Sequence, residues 1–193
     1  MESMSIPEEI GQILLNRGVE TQDQVKMFTD PSLKYLRDPF QLKDMDRAVE
    51  RMRRAISENE KIWIFGDYDV DGVSSTSIMI LYFKSIGYPV DYYIPNRLEE
   101  GYGLNTEAID HIASKDGSLI ITVDCGITSV KEVDYAKDLG IDVIITDHHE
   151  CREKLPDAYA VVDPKRDDSS YPFEGICGCG VAFKLIHALS GNE

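Results

Sequence analysis

Aspartates and histidines gather at three points of this chain, and each point directly follows a short run of β-branched and aromatic residues. The first is Gly66-Asp67-Tyr68-Asp69-Val70-Asp71-Gly72, behind Ile62-Trp63-Ile64-Phe65. Three carboxylates on alternate residues repel one another, which raises their pKa values and costs stability unless a cation is present. Carboxylate oxygen is a hard donor suited to manganese or magnesium. A bound metal is therefore the economical reading of Asp67, Asp69 and Asp71; the alternative is a solvated turn with capping aspartates. Gly72 and the small residues Val73-Ser74-Ser75-Thr76 then open a helix, whose N-terminal amides, with Ser74 and Ser75, could face a phosphate.

Val123-Asp124-Cys125-Gly126-Ile127 is the second point, a lone aspartate behind Ile120-Ile121-Thr122 that could equally cap the helix after it. At the third, Asp147-His148-His149-Glu150 follows Ile144-Ile145-Thr146. Adjacent histidines after a strand point differently, so one can reach a metal while its neighbour faces a substrate phosphate or an orienting carboxylate. His111 and His187 fall in helical stretches and read as structural. Coincidence strengthens the case, because three separate strand ends deliver metal-capable groups to one edge. A mixed Asp and His set favours manganese over structural zinc and permits one or two cations, roughly 3.5 to 4 Å apart in two-metal sites. Such a pair stabilises the attacking and leaving oxygens of an in-line displacement at phosphorus.

A frame is needed to bring these points together. From Lys61 onward, short β-rich runs (Ile62 to Phe65, Pro89 to Ile94, Leu119 to Val123, Asp142 to Thr146 and, more weakly, Tyr159 to Val162) alternate with helical stretches near Ser74 to Ser85, Asn105 to Ala113 and Ser129 to Leu139. That alternation predicts an α/β fold, a mostly parallel sheet flanked by helices on both faces, with the site beyond the carboxyl ends of the strands. A last helix is expected over about Gly180 to Leu189. Before the sheet, Met45, Val49, Met52 and Ile56 recur at three or four residues and mark an amphipathic helix from Asp44 to Glu58. Earlier still, Glu8 to Leu15 and Thr21 to Phe28, with Thr21 as N-cap and Asp30-Pro31 as a turn, read as small helical pieces. The expected organisation is a helical lead-in over 1–43 and a catalytic domain over 44–193.

Of the 193 residues, 42% are hydrophobic and 28% charged, which argues against disorder and fibres. Apolar runs such as Leu119 to Val123 are far shorter than the roughly 20 residues a membrane span needs, and Met1 to Ile10 lacks the features of a secretion signal. No membrane association and a cytoplasmic location are the expectations. Cys125, Cys151, Cys177 and Cys179 make neither a disulfide framework nor a zinc-ligand pattern. The net charge of −15 opposes nucleic-acid binding by simple attraction to phosphate, unless the acidic groups hold cations or the binding surface lies outside this chain.

With those motifs in view, the sequence resembles the DHH phosphoesterase superfamily and, within it, the RecJ branch, over nearly the whole chain. Asp67-Tyr68-Asp69-Val70-Asp71-Gly72 is similar to the family's first motif and Asn96-Arg97-Leu98-Glu99-Glu100-Gly101-Tyr102-Gly103-Leu104 to its second. Val123-Asp124-Cys125-Gly126 resembles the third, and Asp147-His148-His149 the triplet that names it. Asn16-Arg17-Gly18 through Asp38-Pro39-Phe40, Asp44-Met45-Asp46-Arg47-Ala48 and Gly178 to Leu185 are similar to the lead-in and closing helix of the RecJ branch.

The resemblance implies that Asp69, Asp71, Asp124 and His148 are cation ligands, that Asp67 is a ligand or holds the attacking water, and that His149 binds or polarises the scissile phosphate. It implies phosphate contacts for Asn96 and Arg97, with a solvated ion pair the alternative for Arg97. The implied activity is 5′ to 3′ degradation of single-stranded DNA in recombination and repair with manganese or magnesium, beside single-strand binding protein and a helicase. Phe65 stands where many relatives have histidine, a departure usual in the RecJ branch, and this shifts weight onto Asp67. A further aspartate motif, a clamping domain and an OB-type domain are expected beyond Leu189 in a longer protein, so one cation would lack a ligand here and the chain alone would have low activity.

Three other readings stay open. A haloacid-dehalogenase-type phosphatase would make Asp69 a covalent nucleophile but gives His148 and His149 no role. A DHH-family nanoRNA or cyclic-dinucleotide phosphodiesterase, or a pyrophosphatase, uses similar residues. A DHH fold kept only for binding is the non-enzymatic alternative.

Overall fold

The computed structural model describes residues 6–30, 32–98, 100–101 and 103–191. These fall into two compact units, one ending at Asp38 and one beginning at Pro39. In the first, α1 (Glu8–Asn16) and α2 (Gln22–Thr29) are followed by a 3-10 turn, Leu33–Tyr35. Thr21 caps α2 as its sequence predicts: its hydroxyl accepts from Gln24 N at 3.2 Å, and the Gln24 side chain accepts from Thr21 N at 2.9 Å. The expected turn at Pro31 and residues 1–5 of the lead-in lie outside the described residues.

A 3-10 turn at Pro39–Gln41 leads the second unit into α3 (Met45–Glu58). Met45, Ala48, Val49, Met52 and Ala55 are its buried stripe, at the spacing that marked the helix in the sequence. The rest alternates strand and helix: β1 (Ile62–Gly66), α4 (Val70–Ser85), β2 (Asp91–Tyr93), α5 (Thr106–Ala113), β3 (Leu119–Val123), α6 (Val130–Asp138), β4 (Asp142–Thr146), β5 (Ala160–Val162) and α7 (Gly178–Ser190). All strand pairs are parallel, in the order β2-β1-β3-β4-β5.

Covered on both faces, β1 and β3 are buried at every residue, which is why they read as unbroken apolar runs rather than alternating ones. Ile62, Ile64, Leu119, Ile121, Val123 and Ile144 point into one core with residues of α3, α4 and α7. Trp63, Phe65, Ile120, Val143 and Ile145 point into the other, with α5 and α6. The α/β sandwich expected from the sequence is the fold observed.

Most boundaries fall within two residues of expectation, and two elements differ more. At the edge of the sheet β2 keeps only Asp91–Tyr93 of the expected Pro89 to Ile94, and it pairs on one side alone. Helix α4 begins at Val70 rather than Ser74, because the Asp69 carboxylate caps it, accepting from Gly72 N at 3.0 Å. Among the described residues no helix is long and apolar enough to cross a membrane.

Candidate metal centre

Strand register builds the site. Gly66 pairs with Val123, Val123 with Thr146 and Thr146 with Val162, so these last residues of β1, β3, β4 and β5 stand in line. The residue after each is an aspartate: Asp67, Asp124, Asp147 and Asp163. All four are buried, between 0% and 4% exposed. They form a row across the carboxyl edge of the sheet, and Asp67 and Asp124 flank the gap between β1 and β3. There the chain order reverses, the crevice in which open α/β sheets bind ligands.

Loops add the remaining groups. Asp69 follows β1, and His148 and His149 follow β4. Single donor atoms of Asp67, Asp69 and Asp124 lie within 4.8 Å of one another, and so do those of Asp124, His148 and His149. Asp124 belongs to both sets, and its Oδ1 stands 3.1 Å from His148 Nε2. The two imidazole rings lie 4.6 Å apart, centroid to centroid. Of the residues singled out from sequence, Asp67, Asp69, Asp124, His148 and His149 are thus brought together. Asp71 sits at the margin, 3.6 Å from His148 Nε2, with both oxygens accepting amides from the start of α7.

Substrate-side candidates are more dispersed. Asn96 is exposed, and its Oδ1 accepts from Leu98 N at 3.0 Å while its own N–H reaches Glu100. Arg97 lies over the Tyr68 ring at 5.2 Å, beside the first set of aspartates. Ser74 is half-buried; Ser75 is fully buried, and its hydroxyl donates to the Asp71 carbonyl at 2.7 Å. Glu99 and Tyr102 of the second motif lie outside the described residues.

Charge is handled unevenly along the row. Burial, with Asp71 and Asp69 close by, pushes the Asp124 carboxyl up to about 8, and burial also raises Asp67. Asp147 goes the other way: burial is outweighed by hydrogen bonds from His149 and the amides of Ile127 and His148, which hold it below the usual carboxylate range. Its contact with His149 Nδ1, at 2.7 Å, raises the histidine in turn. Asp147 therefore ties the loop of the third motif to the Asp-His-His triplet and orients His149.

Sequence reasoning assigned no role to Asp147 and missed Asp163. Asp163 is fully buried, its Oδ2 has no hydrogen-bond partner among the described residues, and burial pushes it up to about 7. Its signal was the same as for the others, an aspartate directly after an apolar run, but Ala160–Val162 is a short strand.

A divalent cation fits these residues. Asp124 Oδ1 is buried with no hydrogen-bond partner among the described residues, an expensive arrangement unless something else neutralises it. Among the described residues, the ion pairs of Asp71, Asp124 and Asp147 are all with histidines. Oxygen donors mixed with imidazole suit manganese, and the all-carboxylate set suits magnesium as well.

Residues 61–193 match the DHH family, N-terminal domain. Over 191 residues, 99% of this chain, the sequence is 47% identical to a single-stranded-DNA-specific exonuclease RecJ of Bacillus subtilis strain 168. Identity to the protein of the same description from Escherichia coli K12 is 38% over 193 residues, 97% of this chain. The chain spans 24% and 33% of the length of these two relatives. The structure of RecJ in complex with Mn2+ from Thermus thermophilus superposes with a TM-score of 0.71 at 31% identity, covering 91% of this chain and 24% of that one. A structure of exonuclease RecJ bound to manganese gives 0.70 at 36% identity, covering 77% of this chain and 37% of that one. Because the match takes in the whole sheet and helices α4 to α7, rather than the motifs alone, this chain belongs to the DHH family.

Proposed function

We propose that this chain carries the metal-dependent phosphodiester-hydrolysing centre of a RecJ-type single-stranded-DNA exonuclease, with manganese or magnesium as its cation. One observation carries the reading: the buried Asp124 carboxylate, one oxygen of which has no hydrogen-bond partner among the described residues, belongs to both triads of donor atoms. Asp67, Asp69 and Asp124 hold one cation on this reading; Asp124 and His148 serve a second position, with Asp71 behind them. Such an ion supplies Lewis acidity, drawing charge from the phosphate ester and making water acidic enough to attack it near neutral pH.

The chain's own groups do the rest. Asp147, bonded to Nδ1, orients His149 and favours its protonated form, which turns the ring's other nitrogen toward the scissile phosphate as a donor. Arg97, stacked on Tyr68, with Asn96 and Ser74, meets the neighbouring phosphates. Asp69 as a covalent nucleophile is disfavoured by its capping bond to Gly72 and by the gathered histidines. With 20 basic against 35 acidic residues, this chain attracts DNA poorly, and we place the basic groove in the further length that the relatives possess. Residues 1–43 serve as a lead-in to the domain at 44–193. The protein works in the cytoplasm in recombination and repair, with single-strand binding protein and a helicase as partners.

The test is a comparison of labelled single-stranded DNA, duplex DNA and RNA dinucleotides incubated with the protein and manganese. Nucleotide release from the single strand alone is expected, falling to background in Asp69→Ala and Asp124→Ala. Turnover of dinucleotides with single-stranded DNA untouched, or release that survives both substitutions, would overturn the reading.

A further inference from the structure

We propose that the first turn of α7, at Gly178 and Cys179, is a positioning element that sets the carboxylates of Asp71 and Asp124 for the cation. The inference rests on the metal-centre reading above. Gly178 N donates to Asp71 Oδ2 at 2.7 Å and Cys179 N donates to Asp71 Oδ1 at 2.6 Å. Both amides belong to the group of helix-opening N–H donors that find no acceptor inside a helix. Gripped at both oxygens, the carboxylate cannot rotate, yet each oxygen keeps a second lone pair for a cation.

Gly178 matters for a second, independent reason. A Cβ built on it would stand 2.6 Å from Asp124 Cγ and 2.7 Å from Asp124 Cβ, well inside van der Waals contact. Asp124 has nowhere to retreat, since it is 1% exposed and sits at the end of β3 with φ +62°. Any side chain at position 178 must displace either Asp124 or the helix. Asp71 itself lies in the first turn of α4, so one carboxylate bridges the starts of two helices packed against each other. Residues that hydrogen-bond ligating carboxylates typically change metal affinity 10- to 100-fold when altered.

Manganese titration of the metal-stripped protein by calorimetry, with melting in EDTA alongside, compares wild type, Gly178→Ala and Ala188→Gly. Ala188 is buried in α7 far from the site, so its glycine variant loosens the same helix without touching either aspartate. Gly178→Ala is expected to weaken manganese binding by about 10- to 100-fold. Ala188→Gly is expected to lower the melting temperature and leave affinity within about twofold, as a site remote from both aspartates should. In an Asp124→Gly background, Gly178→Ala should no longer lower the melting temperature, because the obstructing side chain is gone. Wild-type affinity in Gly178→Ala, or an equal melting shift with and without the Asp124 side chain, overturns the proposal alone. Failure of the wild type to bind manganese overturns the metal reading and this proposal with it.

Discussion

Carboxylates gather at both ends of the strands, half-buried at one and buried at the other, and the two ends treat them in opposite ways. At the amino edge, Arg51 of α3 is 3% exposed and reaches Glu60, just before β1, through two bonds of 3.0 and 2.6 Å, and Asp142, at the start of β4, at 2.6 Å. Ser118, just before β3, adds a hydroxyl to Glu60 at 2.9 Å. Burial alone would raise Glu60, but the bonds from Arg51 and Ser118 hold it below the usual carboxylate range. At the carboxyl edge, Asp67, Asp124 and Asp163 hydrogen-bond to no guanidinium among the described residues, and all are raised, chiefly by burial. One edge carries its own cation; at the other, on the proposed reading, the charge is left for an ion from solution.

The contrast can be broken most forcefully at Arg51. Arg51→Ala strands Glu60 and should lower stability by about 3 kcal/mol, measured by urea denaturation. The variant should still gain as much stability from manganese as wild type does. For wild type that gain is about 2.7 kcal/mol at a hundredfold excess over the dissociation constant, and it should vanish in Asp69→Ala. Equal manganese stabilisation of Asp69→Ala would erase the distinction between the edges.

Asp124→Asn probes the carboxyl edge without metal. At pH 9 in EDTA it should stabilise the protein by about 2 kcal/mol, since it removes a buried charge and asparagine tolerates positive φ. At pH 5, where Asp124 is already protonated, the gain should be small.

Smaller, and of opposite sign at the two edges, are the pH slopes. Carboxyls raised in the folded state, such as Asp124 at about 8 and Asp163 at about 7, stabilise fully below about pH 4, and that contribution is lost as pH rises through 7 and 8. Glu60 is lowered, so its contribution is complete above about pH 4.3 and disappears as pH falls further. Denaturation in EDTA at several pH values should therefore show a maximum on the acid side of neutrality. Manganese should abolish the alkaline decline, because it binds the deprotonated ligands.

Much of this was legible in the residues. β1, β3 and β4 announced themselves as apolar runs, and Asp67, Asp69, Asp124, His148 and His149 converge as their positions after strands required. The two helix-face cores followed from the alternation of strand and helix. What stayed hidden depends on contacts between distant parts of the chain. Asp147 acts through an amide of the loop after β3, Asp163 follows a strand of three residues, and Gly178 meets Asp71 from 107 positions away. Ser75 read as a phosphate contact by its place near a helix start, but helix geometry turns its hydroxyl back onto the carbonyl of Asp71.

The alignment of Asp67, Asp124, Asp147 and Asp163 fixes a pitch. Parallel strands stand about 4.8 Å apart, a separation dictated by peptide hydrogen bonds and indifferent to the identity of the side chains. On the proposed reading, accommodation to ions of different radius comes from Asp69 and His148, which hang from loops. Inserting a single residue into β3 would turn Asp124 toward the opposite face and open a gap in the middle of the series, whatever happened to the rest of the molecule.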